Sequence, residues 1–161
     1  MKLRLASIAG VLLAVLAALP LLAQAPPQGA SQADKDISGT YTFVRDGETL
    51  QINVEESKVG GWVTRFGDGD SDKGQRIDQF FEKAALAGGQ LSFTTKVIHG
   101  VWFDFQGTVL RGPAKSRAEE GYFVIRGTLK QYTSDANQHV SARERQVEFK
   151  LFPEDVDKKS G

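Results

Sequence analysis

Residues 101–111 of this chain read VWFDFQGTVLR. Phe103 and Phe105 stand at odd positions of this run, whereas Asp104 and Gln106 stand at even positions. An apolar residue at every second position indicates a β-strand that buries one face and leaves the other in solvent. The stretch therefore predicts a strand that packs on a hydrophobic core through its odd-numbered side chains.

The same alternation recurs along the chain, between short runs of turn residues. The candidate strands span residues 37–45, 49–56, 59–66, 79–87, 90–98, 101–111, 121–132 and 145–152. Asp46-Gly47 and Gly88-Gly89 are two-residue hairpin signals. Consecutive hairpins of short strands predict an all-β fold. We expect an eight-stranded antiparallel up-and-down barrel, because closure removes exposed sheet edges.

One segment also fits a different period. Ile77, Phe80, Phe81 and Ala84 follow the i, i+3, i+4, i+7 spacing of an amphipathic helix. We expect a short helical turn near residues 76–81 that runs into a strand, and a helix that continues through residue 87 is the alternative.

The first 25 residues have the order of a secretory signal peptide. Lys2 and Arg4 precede an apolar run, and Ala23-Gln24-Ala25 supplies the small side chains needed for cleavage. We expect residues 1–25 to be removed and the protein to be exported, to the periplasm or outside the cell. An uncleaved N-terminal anchor is the alternative.

Three further segments follow the signal peptide. Residues 26–36 are rich in Pro, Gly, Ser and Gln and predict a flexible linker. Residues 37–153 form the predicted barrel domain, and residues 154–161 form a polar tail. Nothing after the signal peptide is long and apolar enough to predict a membrane span.

Charge and cysteine content exclude several classes of protein. The chain has 20 basic and 20 acidic residues and no cysteine. Without a basic excess, nucleic acid is not an expected partner. Without cysteine there is no disulfide, no Cys-ligated zinc and no thiol nucleophile.

The strand count, the hairpin order and the domain size resemble those of the lipocalin and avidin superfamily of up-and-down barrels. Gly39-Thr40-Tyr41 opens the first strand where lipocalins carry Gly-x-Trp, so Tyr41 differs from that motif. The Asn, Ser and Tyr set that holds biotin in avidins has no counterpart here, so biotin is not implied. The repeated strand ends Gly107-Thr108-Val109 and Gly127-Thr128-Leu129 resemble those of a family of secreted bacterial domains.

Aromatic residues are frequent at the strand positions whose side chains are predicted to face inward. They either line a pocket for an apolar small molecule or fill the core, and their dense packing favours filling. The candidate lining residues are Tyr41, Phe43, Phe93, Phe103, Phe105 and Phe123. Arg65 and Thr95 are the polar residues of the same parity. Arg65 either binds a ligand carboxylate or lies past the end of its strand in water, and the second interpretation is favoured.

Trp62 and Trp102 stand at strand positions whose side chains are predicted to face outward. Exposed tryptophans are unusual in a monomer, so they predict a contact surface or cover by the linker or by the segment 77–81.

The sequence contains no metal or catalytic motif. Residues 68–72 read DGDSD, which is the opening of a calcium loop, but Lys73 and Gln79 stand where the loop needs Gly and Glu. His99 and His139 lack the spacing of metal ligands. The inward parity has no His, Asp or Glu, so we expect no convergent set of ionisable side chains in the barrel, no cofactor and no enzyme activity.

These patterns predict an exported β-barrel that binds an apolar small molecule or an envelope protein. The alternative is a structural or inhibitory envelope protein with a solid core, which acts through its surface.

Overall fold

The computed structural model describes residues 37–154, so the predicted signal peptide, the linker and the tail from residue 155 onward lie outside the described residues. The strands are β1 (Gly39–Thr42), β2 (Thr49–Glu55), β3 (Lys58–Phe66), β4 (Arg76–Ala87), β5 (Gln90–Thr95), β6 (Val101–Arg111), β7 (Phe123–Ser134) and β8 (Val140–Lys150). Each strand pairs antiparallel with the next one in the chain. The prediction of an all-β, eight-stranded antiparallel meander is confirmed.

The sheet curls until its first strand meets the end of its last. Tyr41 forms an isolated antiparallel bridge with Leu151, and the Phe152 N–H donates to the Thr40 carbonyl at 2.8 Å. The strand β1 has four residues and β8 has eleven, so most of the outer edge of β8 lies beyond this contact. The result is a curled half-barrel with a gap beside the first half of β8.

Residues 76–81 form the start of β4, so both the expected helical turn and its longer helical alternative are wrong. Ile77 and Gln79 are buried and Phe80 is exposed, which is the alternation of a strand. Residues 76–80 of β4 pair with β3, and residues 81–87 pair with β5 around a β-bulge between Phe81 and Lys83. These ladder hydrogen bonds satisfy backbone groups along the strand and override the helical spacing of the apolar residues. No helix within residues 37–154 has the length and apolarity needed to cross a bilayer.

Aromatic rings fill the interior. Phe105 lies 5.2 Å from Phe93 and 5.3 Å from Phe149, measured between ring centroids. Phe43 continues the cluster, with centroids 5.3 Å from Phe149 and 5.4 Å from Phe103. All five rings are buried. Offset and edge-on contacts of this kind add to the free energy gained by removing apolar surface from water.

The two ends of the barrel differ. The loop 112–122 and the buried residue Ile37 cover one end, where Ala114 is also buried. The loops 43–48, 67–75, 96–100 and 135–139 lie at the other end, which we call the mouth. Strand direction therefore places the end of β7 and the start of β8 at the mouth.

Candidate ligand site at the barrel mouth

A cavity of about 200 Å³ opens at the mouth, beside the gap between the loop 43–48 and β8. We call it the mouth cavity. It is lined by Phe43, Val44, Arg45, Glu48, Arg65, Asp68, Phe103, Gln131, Arg143 and Arg145. Its volume is below the roughly 300–1,000 Å³ of ordinary ligand pockets, so it suits a small molecule or one end of a larger one.

Arg65 lies in the inner wall of the mouth cavity. It is only 4% exposed, so the favoured expectation that it faces water is wrong. Strand β3 continues to Phe66 and pairs with β4 up to its end, which keeps Arg65 within the sheet with its side chain turned inward. Burial lowers the pKa of its guanidinium below the ordinary value.

The buried guanidinium of Arg65 donates its hydrogen bonds to neutral acceptors. Its Nε–H donates to Gln79 Oε1 at 2.8 Å, and its Nη2 donates to the Ile98 carbonyl at 3.3 Å. Its Nη1 donates to the Phe66 carbonyl at 3.4 Å. No carboxylate of the described residues 37–154 forms an ion pair with it.

Gln79 connects Arg65 to the backbone beneath the mouth cavity. Its amide Nε2 donates to the Val101 carbonyl at 2.6 Å, to the Lys96 carbonyl at 2.8 Å and to Thr95 Oγ1 at 3.3 Å. Thr95, predicted to face inward, is fully buried like Gln79. Sequence reasoning missed Gln79 because its segment was assigned to a helical turn.

A second arginine enters the mouth cavity from the middle of β8. Arg145 pairs in register with buried Leu129, so it shares the inward face. Its Nη2 donates to Gln131 Oε1 at 3.0 Å, and its Nε–H is buried without an acceptor. Neither Arg145 nor Gln131 was predicted, although both continue the inward parity of their strands.

The carboxylates of the mouth cavity are engaged by neighbouring groups. Glu48 is 4% exposed and accepts hydrogen bonds from Arg45 Nε at 2.8 Å, from Arg45 N and from Phe66 N. Asp68 accepts from Arg45 Nη1 at 2.8 Å. Both oxygens of Glu48 therefore have donors. The hydrogen bond to Glu48 is also the main reason that the pKa of Arg45 is raised above its ordinary value.

The prediction that the barrel has no convergent set of ionisable side chains is wrong at the mouth. Four arginines and two carboxylates line one cavity there. Of these residues, Arg65 was named from the sequence. Glu48 and Asp68 were missed because they lie in loops, and Arg143 was missed because it precedes the predicted strand 145–152. Arg45 and Arg145 stand at the ends of predicted strands, where their inward parity was not considered. Arginine does not lose its proton near neutral pH, so this set is suited to hold an anion and poorly suited to transfer protons.

The remaining candidate lining residues lie in the filled core, away from the mouth cavity. Phe93 and Phe105 pack at mid-barrel, and Phe123 lies near the covered end. Tyr41 is fully buried, and its hydroxyl donates to the Ile37 carbonyl at 2.7 Å. Of the seven candidates, the mouth cavity brings together Phe43, Phe103 and Arg65.

Trp62 and Trp102 lie on the outer face, each beside an aromatic side chain of the next strand. Trp62 lies 5.6 Å from Phe80, and Trp102 stacks on Tyr132 at 5.0 Å, measured between ring centroids. Phe80 is 53% exposed. The segment 77–81 thus covers part of Trp62, whereas the predicted contact surface stays a prediction.

Local partners hold the acidic loop 67–75. Asp72 is buried, and its Oδ1 accepts from Gly69 N at 2.8 Å. Its Oδ2 accepts from His99 Nδ1 at 2.7 Å, and this hydrogen bond holds the pKa of the Asp72 carboxyl below its ordinary value. Within residues 37–154, no group of three or more potential side-chain ligands (His, Cys, Asp or Glu) converges on a metal position.

No family model and no curated protein matches the chain. Among solved structures, the crystal structure of intact afifavidin in its apo form is similar, with a TM-score of 0.55 and 11% identity. The match covers 82% of this chain and 94% of that chain. This chain has an avidin-like fold. The predicted resemblance is confirmed for the fold, and the ligand has to be argued from the residues of this chain.

Proposed function

We propose that this protein is an exported binding module that takes a small molecule in the mouth cavity. Eight-stranded barrels are wide enough to hold one small ligand, and the avidin-like fold supports this assignment. The observation that carries the proposal is a cavity lined by two aromatic residues and by inward-facing polar groups, above a core of packed apolar side chains. In this proposal the ligand binds at the mouth, above the aromatic core that was the expected lining.

Catalysis is not part of the proposal. A general base needs a free acceptor within reach of the substrate. Donors occupy both oxygens of Glu48, Asp68 pairs with Arg45 at the exposed rim, and the other charged residues of the lining are arginines. The cavity therefore offers recognition without a group placed to move protons.

Nuclear magnetic resonance can test the site. A library of neutral and charged fragments is added to the ¹⁵N-labelled domain, and backbone amide shifts are recorded. We expect binders to shift the amides of Val44 and Gln131, while the indole N–H of Trp102 stays in place. A library in which no fragment shifts the mouth amides would overturn the proposal.

The second candidate is an envelope protein that acts through its outer surface. It is favoured by the filled core and by the half-exposed Phe80 beside Trp62. This function predicts that extracts of the cell envelope shift the indole signals of Trp62 and Trp102 and leave the mouth amides unchanged.

A further inference from the structure

Arg145 has a buried donor that nothing in the described chain accepts. Its Nε–H is shielded from solvent and unpaired, whereas Gln131 holds its Nη2 at 3.0 Å. A buried donor without an acceptor costs about 1–3 kcal/mol. An acceptor that enters the mouth cavity would recover that cost when the side chain turns toward it.

Arg65 supplies a second positive charge to the same cavity. It is 4% exposed, and its hydrogen bonds go to amide and carbonyl oxygens only. Asp72, Asp68 and Glu48 act on it electrostatically without a direct ion pair, but burial still outweighs them and lowers its pKa. A carboxylate in direct contact would therefore compensate a cost that remains. Gln79 and its three acceptors fix the guanidinium in place, so the charge is already oriented before a ligand arrives.

The charges around the cavity do not cancel. Arg45 is committed to Glu48 and Asp68. Arg65, Arg143 and Arg145 form no ion pair with any carboxylate of residues 37–154. A cavity with this excess of positive charge attracts an anion, in a protein whose overall charge gives no such attraction.

We propose that the mouth cavity binds the carboxylate of a small organic acid, with Arg145 and Arg65 as its anion-binding groups. This inference rests on the proposed function and names the ligand class of that site. The planar guanidinium matches a carboxylate through paired hydrogen bonds, and the small exposed parts of Phe43 and Phe103 contact the apolar group next to the carboxylate. The volume of about 200 Å³ limits the enclosed part to a small group.

Matched acids and amides test the inference on the unaltered protein. Benzoate and hexanoate are compared with benzamide and hexanamide by calorimetry and by the amide shifts of the mouth. We expect the acids to bind at least about tenfold more tightly than the amides, because hydrogen bonds between charged groups are the stronger ones. The Arg145 Nε–H signal should shift with the acids only.

Two variants assign the effect to Arg145. Arg145→Gln should remove the preference for the acids, and Arg145→Lys should restore part of it. Arg126→Gln is the matched control, because Arg126 is exposed on the outer face and pairs with Glu148 at 2.6 Å. This control removes one positive charge from the protein without touching the mouth cavity, so it should keep the preference.

The outcomes separate the inference from the proposed function. Equal binding of acids and amides, with shifts at the mouth, would overturn the carboxylate and leave the binding site intact. Binding of neutral fragments alone, or of inorganic phosphate in place of the acids, would also overturn the carboxylate and leave the binding site intact. If no compound shifts the mouth amides, both proposals fail.

Discussion

Two glycines face each other across β6 and β7, and enlarging one of them gives a sharp test of the packing. Gly107 pairs with Gly127, and both belong to the inward face. A Cβ added at Gly107 would lie 2.4 Å from the Arg126 carbonyl oxygen and 2.4 Å from Phe105 Cζ. Non-bonded carbon atoms prefer about 3.5–4.0 Å, so one of these neighbours has to move by about 1 Å.

Neither neighbour of Gly107 can move freely. The Arg126 carbonyl is part of the β7 backbone, and the Phe105 ring is 1% exposed between Phe93 and Phe149. Overpacking of a well-filled core costs about 1–3 kcal/mol, and the two simultaneous clashes place Gly107→Ala in the upper half of that range. We expect Tm to fall by roughly 5–15 °C.

Gly60→Ala is the matched control. Gly60 lies in β3, it is exposed, and no atom lies within 4 Å of a Cβ added there. The same methyl group should therefore change the unfolding free energy by no more than about 0.5 kcal/mol. Calorimetry and denaturant unfolding of both variants provide the comparison. Equal stability of the two variants would refute the close approach of β6 and β7.

Three other predictions follow from the fold, the loop 67–75 and the N-terminus. Phe103→Ala should destabilise the domain by about 3–5 kcal/mol, and Asp104→Ala on the outer face by under about 0.5 kcal/mol, in urea unfolding; similar losses would contradict the alternation. Because the Asp72 carboxyl has a lowered pKa in the folded state, its contribution to stability is present above about pH 4 and is lost as the pH falls through that lowered pKa. Asp72→Asn should therefore be less stable than the unaltered protein at pH 6 and approach it near pH 2, and a constant difference would count against the pair with His99. Exported protein should begin between residues 24 and 28 by mass analysis, and an intact residue 1 would exclude cleavage.

Period-two alternation predicted the sheet because each strand has one buried face. It failed for β4, where Ile77, Phe80 and Phe81 satisfy the helical spacing, whereas only Ile77 and Phe81 share the parity of one strand face. Only the pairing of β4 with β3 and β5 decides between the two, and those partners lie elsewhere in the sequence. The same error hid Gln79, because a residue assigned to a helical turn was not tested for inward parity.

The mouth cavity was largely invisible to the sequence pattern. Residues 140–144 of β8 are exposed, so no apolar alternation marks the strand there. A signal nevertheless exists, because the inward parity of Phe149 and Val147 continues to Arg145. Arg145 is the first residue of the predicted strand 145–152, so its inward parity could be read from the sequence, but its unpaired Nε–H depends on three-dimensional packing.

Arg117 ties the two ends of the described chain together on the covered side of the barrel. Its Nη2 donates to the Ser38 carbonyl at 2.6 Å, and its Nε donates to Glu154 Oε1 at 2.7 Å. Residues 37 and 154, the first and last described residues, therefore lie on the side opposite the mouth. A fluorescent fusion or a linkage to a sensor chip can be attached before residue 37 or after residue 154, and in either case the mouth faces the solution. An attachment at the covered end therefore leaves the proposed site at the mouth accessible from solution.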